Sequence, residues 1–277
     1  MTERTIVITG ASDGIGAALA RRLAERGDRL LLVGRSAEKL ALVAEPLGAE
    51  AFVADFERLD DVRELARAIR ERTDRIDVLA NNAGGVFGSR AVTVDGHERT
   101  MQVDHDAGFL LTNLLVDVLG RSGATVVTTS SAAARKYGRL DLDDLDQTGV
   151  YDPLKAYGDA KLANILFTRG LHDRHRRDGI ASVAVHPGDV ASNFGRQTGT
   201  RAMRLFYGSP LARVLKRPDG GAAELLWAID GEPDAAWASG GYYEARRPPR
   251  RPHPQQHDAA LVDAFWAESA RRVGLPG

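Results

Sequence analysis

The chain alternates short, nearly continuous apolar runs with longer stretches in which apolar residues recur at helical spacing. The runs occupy residues 6–9, 30–33, 51–54, 78–80, 126–130 and 182–185. They show little internal alternation between apolar and polar positions, as expected of strands covered on both faces. Helical patterns occupy 17–26, 37–45, 59–71, 98–118 and 155–174. Strand–helix repetition of this kind predicts an α/β fold, a doubly wound parallel sheet with helices on both faces. No internal repeat and no linker interrupts it, so residues 1–277 read as one domain. The Pro- and Arg-rich stretch 246–254 reads as a solvated surface loop.

Composition narrows the function classes. The chain has 277 residues, and the 43% apolar fraction suffices for a sizeable core. Lys and Arg number 37 against 38 Asp and Glu, so no basic footprint for nucleic acid is present. Cysteine is absent, which excludes disulfides and thiolate metal sites. The first apolar run begins almost at the N-terminus, with no signal-peptide pattern before it, and no run is long enough to span a bilayer. The expectation is a cytoplasmic protein. His105 and His186 lie in no metal-ligand pattern, and no metal is expected.

Two segments carry candidate chemistry. Thr9-Gly10-Ala11-Ser12-Asp13-Gly14-Ile15-Gly16 follows the first strand and opens the first helix. Glycines at Gly10, Gly14 and Gly16 let the backbone turn tightly and approach a pyrophosphate, whose charge faces a helix N-terminus. After the second strand comes Gly34-Arg35-Ser36. An acid at this place suits the ribose hydroxyls of NAD, whereas Arg35 suits a 2′-phosphate, with Gly34 leaving room for it. NADP(H) is therefore favoured over NAD(H), which stays open. Asp13 argues the other way, because its charge within the turn opposes an added phosphate.

The second segment is Tyr157-Gly158-Asp159-Ala160-Lys161, read with Ser131 upstream. On a helix, residues four apart share a face, so the Tyr157 phenol and the Lys161 ammonium can meet. A neighbouring cation favours the phenolate, which makes Tyr157 a candidate acid/base at a carbonyl or alcohol.

Together these motifs resemble the short-chain dehydrogenase/reductase superfamily over nearly the whole chain. The resemblance rests on the glycine turn, Asp55, Asn81-Asn82-Ala83-Gly84, Ser130-Ser131, Tyr157 to Lys161 and His186-Pro187-Gly188, in that order. Within the superfamily the chain looks most like the retinol-dehydrogenase and WW-domain-oxidoreductase-like branch. Its Ala156–Thr168 segment, Phe109-Leu110-Leu111-Thr112-Asn113 and Ser239-Gly240-Gly241-Tyr242-Tyr243 are similar to that branch.

The resemblance implies a set of roles. The turn from Gly10 through Ser12, Asp13, Gly14, Ile15 and Gly16 would hold the cofactor. Asp55 would contact the adenine, with Phe56 in the same cofactor-binding set. Asn82, Ala83 and Gly84 would pass beside the cofactor and brace the sheet. Pro187, Gly188 and Val190 would border the nicotinamide. Ser131 would hold the substrate oxygen, Tyr157 would exchange its proton, and Lys161 would lower the Tyr157 pKa and bind the nicotinamide ribose.

One position departs from the family. Asn usually occupies the place of Asp104, as fourth member of the catalytic set, in a helix whose carbonyl holds a water linked to the lysine. Asp is nearly isosteric and keeps that carbonyl, but a carboxylate only accepts hydrogen bonds. If close, it would hold the Lys161 charge by attraction.

The segment at about 192–217 would cover the substrate. Phe194, Met203, Phe206 and Tyr207 favour an apolar or aromatic molecule, and Arg196, Arg201 and Arg204 could meet an acid. The leading expectation is an NADP(H)-dependent enzyme interconverting an alcohol and a carbonyl on a lipophilic or secondary-metabolite-like small molecule. A double-bond reductase and a weakly active cofactor-binding sensor or scaffold are the alternatives. The oligomeric state, from monomer to homodimer or homotetramer, is left open.

Overall fold

A computed structural model describes residues 3–188 and 218–276. The expected Val190 and the segment 192–217 lie outside the described residues.

The sheet begins with β1 (Thr5–Thr9) and β2 (Arg29–Gly34), with α1 (Gly14–Ala24) between them and α2 (Ala37–Leu47) after β2. β3 (Glu50–Val53), α3 (Leu59–Arg72) and β4 (Val78–Asn81) follow. The second half contains β5 (Thr125–Thr129), α8 (Pro153–His175), β6 (Ala181–His186) and β7 (Gly241–Glu244). The seven strands run in the order β3-β2-β1-β4-β5-β6-β7, and every neighbouring pair is parallel. The strand order reverses between β1 and β4. In such sheets the crevice beyond the carboxyl ends of those strands is where a ligand binds.

Alternate residues of each strand feed opposite faces. Ile6 and Ile8 pack with Leu19, Leu40 and Leu225, the last on α9 (Pro218–Asp230). Val7 packs with Val62 and Ile69 of α3, with Phe109 of α5 (Ala107–Leu114), and with Phe167 of α8. Two apolar layers therefore clamp the sheet, which explains the unbroken apolar runs. The exception is the edge strand β3, whose residues alternate between partly buried and exposed.

Three departures from the sequence reading have physical causes. The single helix expected over 98–118 is instead α4 (Arg99–Met101), a π turn (Gln102–Asp106), α5, and then α6 (Val116–Ser122) after a break at Leu115. The periodicity persists across the wider turn because the chain keeps its helical direction there. β7 was not anticipated as a strand, since only four residues pair and glycines precede them. Nor were α9 and α10 (Ala259–Arg272), along with the short α7 (Ala133–Tyr137).

Candidate active site

A cavity of about 690 Å³ opens at the carboxyl ends of the strands. Its nucleotide-like end is built by the β1–α1 turn. Gly10 and Gly14 adopt φ of +67° and +57°, a conformation open to glycine at no steric cost. A side chain at Gly10 would come 2.9 Å from the Ala83 Cα, and one at Gly16 would come 2.3 Å from the Gly10 carbonyl oxygen. The turn is thus pressed against the β4 loop and its own helix. Asp13 caps α1, its carboxylate accepting the Gly14 N–H at 2.7 Å.

Thr9 ties this turn to the β4 loop. Its hydroxyl accepts N–H groups from Asn82 and Ala83 at 3.0 Å each, while the Asn82 amide donates to the Thr9 carbonyl at 3.0 Å. Arg35 reaches the same end of the cavity, 57% exposed and 3.2 Å from the Glu57 carboxylate. The space over Gly34 is not open room. A side chain there would meet Ser12 at 3.1 Å and Leu40 at 3.3 Å, so this glycine lets β2 approach the glycine turn. Asp55 lines the wall and accepts the Glu57 N–H at 3.1 Å, with Phe56 beside it.

The opposite end is set by β5 and α8. Asp152 caps α8 by accepting the Leu154 N–H at 2.8 Å, and Pro153 occupies the first turn, where a missing N–H costs nothing. This start puts Tyr157 and Lys161 on the cavity side, with the Lys161 Nζ 5.3 Å from the centre of the Tyr157 ring. Gly158 permits the crossing of α7, since a side chain there would lie 2.6 Å from the Gly138 nitrogen. Ser130 donates to the Lys161 carbonyl at 2.7 Å and pins β5 to α8. Ser131, next in the chain, faces the cavity and accepts the Ala133 N–H at 3.2 Å.

Behind this end lies the π turn. Asp104 does not line the cavity but sits beneath it, fully buried. One carboxylate oxygen accepts the Gly85 N–H at 2.6 Å, and the other faces the Lys161 ammonium at 3.1 Å as an ion pair. Burial pushes the Asp104 carboxyl up, against the pull of Lys161 and of the Gly85 N–H. The Asp104 carbonyl accepts from the Asn164 amide at 3.0 Å, and the same amide donates to the Thr129 carbonyl at 3.1 Å. The oxygen of that amide lies 3.2 Å from His105 Nδ1, and the Ser269 hydroxyl lies 3.0 Å from His105 Nε2. Burial lowers the His105 pKa to about 4, so the ring is neutral at pH 7.

The cavity brings together most of the residues singled out in the sequence, from Gly10, Ser12, Asp13, Gly14, Ile15 and Arg35 to Ser131, Tyr157, Lys161, Pro187 and Gly188. Gly16 and Asp104 stand behind its wall. Sequence reasoning missed Lys39, a second cation four residues beyond Arg35 that also lines the cavity. Its spacing after the Ser36 helix cap was the available signal. It also missed Asn164 and the wall residues Val86 and Phe87, for which no local pattern exists.

The residues fit a nicotinamide dinucleotide. The glycine turn supplies a close backbone approach at a helix N-terminus, and the cavity is long enough to link it to Ser131 and Tyr157. The short chain dehydrogenase family pattern matches residues 4–202. The chain belongs to that family.

This short-chain dehydrogenase is 41% identical, over 98% of its length and 93% of the relative's, to a protein of Streptomyces sp. (strain C5) with the provisional name daunorubicin C-13 ketoreductase DnrU. It is 35% identical to human retinol dehydrogenase 13, over 98% of this chain and 85% of the relative. It lies near the retinol dehydrogenase branch. Among solved structures, the Pseudomonas aeruginosa RhlG/NADP active-site complex superposes with a TM-score of 0.69 at 26% identity, covering 88% of this chain and 95% of that one. The chain is accordingly an oxidoreductase that binds a nicotinamide cofactor and acts on an alcohol or carbonyl. Among the described residues no helix is long and apolar enough to cross a membrane.

Proposed function

We propose that this short-chain dehydrogenase uses NADP(H) to interconvert an alcohol and a carbonyl on a lipophilic small molecule, with Tyr157 as the acid/base. The observation that carries this reading is the convergence of Ser131, Tyr157 and Lys161 in the same cavity as the glycine turn. When bound, the cofactor supplies the hydride. Ser131 holds the carbonyl oxygen by donating its hydroxyl. Tyr157 gives that oxygen a proton in reduction and takes it back in oxidation. Lys161 favours the phenolate between these events and positions the ribose. Gly10, Ser12, Gly14, Ile15 and Gly16 shape the pyrophosphate cradle, Asp55 and Phe56 flank the adenine, and Asn82 to Gly84 form the adjoining wall.

Arg35 and Lys39 both reach the end of the cavity where a 2′-phosphate would sit. The exposed Arg35–Glu57 pair is weak and gives way to a phosphate at little cost. Val86, Phe87, Val103 and Leu154 add apolar surface to the cavity wall. Two relatives are named for retinol and for a daunorubicin ketone, which agrees with a lipophilic substrate.

The test combines cofactor titration with one substitution. NADPH should bind more tightly than NADH. Tyr157→Phe should lose at least about a hundredfold in turnover while NADPH binding is retained. Near-normal turnover would remove Tyr157 from its role, and tighter NADH binding would remove Arg35 and Lys39 from theirs.

A further inference from the structure

We infer that Asp104 sets the redox-state preference of the site: by neutralising Lys161 it lets the cavity hold the oxidised cofactor better than a lone lysine would, and so favours carbonyl reduction. The inference rests on the proposed placement of the nicotinamide beside Lys161.

Three observations carry it. The pair is secluded, with the Lys161 side chain 2% exposed and that of Asp104 not at all. Salt therefore screens it little. The pair also lies directly against the cavity wall, because a side chain at Gly84 would come 2.8 Å from the Asp104 carboxylate and 2.9 Å from the Lys161 ammonium. Finally, the carboxylate is held in place by the Gly85 N–H at 2.6 Å, on a backbone segment that itself lines the cavity.

The charge arithmetic gives the sign. The oxidised nicotinamide ring carries one positive charge and the reduced ring none. A lone ammonium close to the ring would disfavour the oxidised form. With Asp104 ionised against the Lys161 ammonium at 3.1 Å, the pair has no net charge and this penalty is removed. Contacts to ribose, pyrophosphate and adenine are the same for both forms and cancel in the ratio of their affinities. By linkage, a site that tolerates the oxidised form shifts the balance among bound species by the same factor. In that balance the carbonyl carbon receives a hydride, the carbonyl oxygen receives the Tyr157 proton, and solvent reprotonates the phenolate. Relative to a site with a lone lysine, the balance shifts towards alcohol and oxidised cofactor.

The experiment measures dissociation constants of NADP⁺ and NADPH, and of NAD⁺ and NADH in parallel, without substrate. It compares the full-length wild type, Asp104→Asn, and the double variant Asp104→Asn/Lys161→Met. Asn keeps the shape and an acceptor for the Gly85 N–H. The ratio of oxidised to reduced dissociation constants should rise about tenfold in Asp104→Asn, the scale of one unit charge acting at short range in a poorly screened site. It should return to within about twofold of wild type in the double variant, whose pair is again uncharged. A ratio unchanged in Asp104→Asn while both forms bind overturns the inference and leaves the cofactor reading standing. A ratio that rises and stays raised in the double variant also overturns it, since the effect is then not one of charge. Failure of the wild type to bind any of the four cofactors brings down both.

Discussion

Asp104 and Asp106 stand two residues apart on one π turn, and both are buried against a cation, yet they are built differently. Asp106 receives the Arg272 guanidinium through three contacts of 2.8 to 3.3 Å, and the same guanidinium bridges to Asp146 at 3.0 Å. Asp146 in turn accepts the Glu98 N–H at 2.8 Å. That cluster joins α10, the π turn and the loop before α8, away from the cavity. Asp104 has one cation at 3.1 Å and one backbone N–H, directly beneath the cavity wall. A saturated ion cluster fixes structure, whereas a sparsely bonded pair at a cavity leaves its charge available to a ligand.

The largest expected effect tests the structural half of this contrast. Arg272→Leu strands the Asp106 and Asp146 carboxylates and should cost about 3–5 kcal/mol of stability, read from urea unfolding. A cost below about 1 kcal/mol would show that the cluster is not what anchors α10.

Acid comes next, through His105 in the same turn. Its folded pKa, lowered to about 4, lies below the ordinary value of 6.5. A depressed imidazole contributes stability that is fully present above 6.5 and lost as pH falls from 6.5 towards 4. The loss should approach roughly 3 kcal/mol, and be smaller in His105→Gln. Asp146 weakens in the same direction: its burial is outweighed by the nearby His97 ring, 3.8 Å away, and by the Arg272 guanidinium, which hold it below the usual range. His97, raised by the Asp146 carboxylate 3.8 Å away, opposes both, since its contribution is present below 6.5 and lost as pH rises. Unfolding midpoints at pH 7.5 and 4.5 measure the balance.

Asp104→Asn should cost less than Arg272→Leu in the same unfolding assay, because it leaves one cation unpaired rather than stranding two carboxylates, and the amide still accepts from Gly85. A cost equal to that of Arg272→Leu would erase the contrast and make Asp104 a structural anchor. Arg35→Ser should be the mildest for stability, within about 0.5 kcal/mol, since its pair with Glu57 is exposed. It should weaken NADPH about tenfold while leaving NADH unchanged.

Much of this molecule was legible in its sequence where local rules apply. The apolar runs marked six strands, five of them because both faces are covered and the edge strand β3 by its β-rich run alone. The glycine turn was legible because its close backbone approaches admit no side chain, and Tyr157 and Lys161 because helix spacing alone puts them on one face. The π turn was hidden, since it shifts register without breaking the apolar pattern. Arg272 and Asn164 were also hidden. Each acts across the chain, on Asp106 166 residues away and on the Asp104 carbonyl 60 residues away, and no local pattern records such a contact. The proximity of Asp104 to Lys161 was conditional in the sequence and became a distance only in the fold.

Isotope transfer tests the central claim most directly. NADPH deuterated at both C4 positions is incubated with a panel of lipophilic ketones and enones, and the products are read by NMR and mass spectrometry. Deuterium on the carbinol carbon with the wild type, and none with Tyr157→Phe, is the predicted result. Deuterium on an alkene-derived carbon instead, or none at all while NADPH is bound, would contradict it.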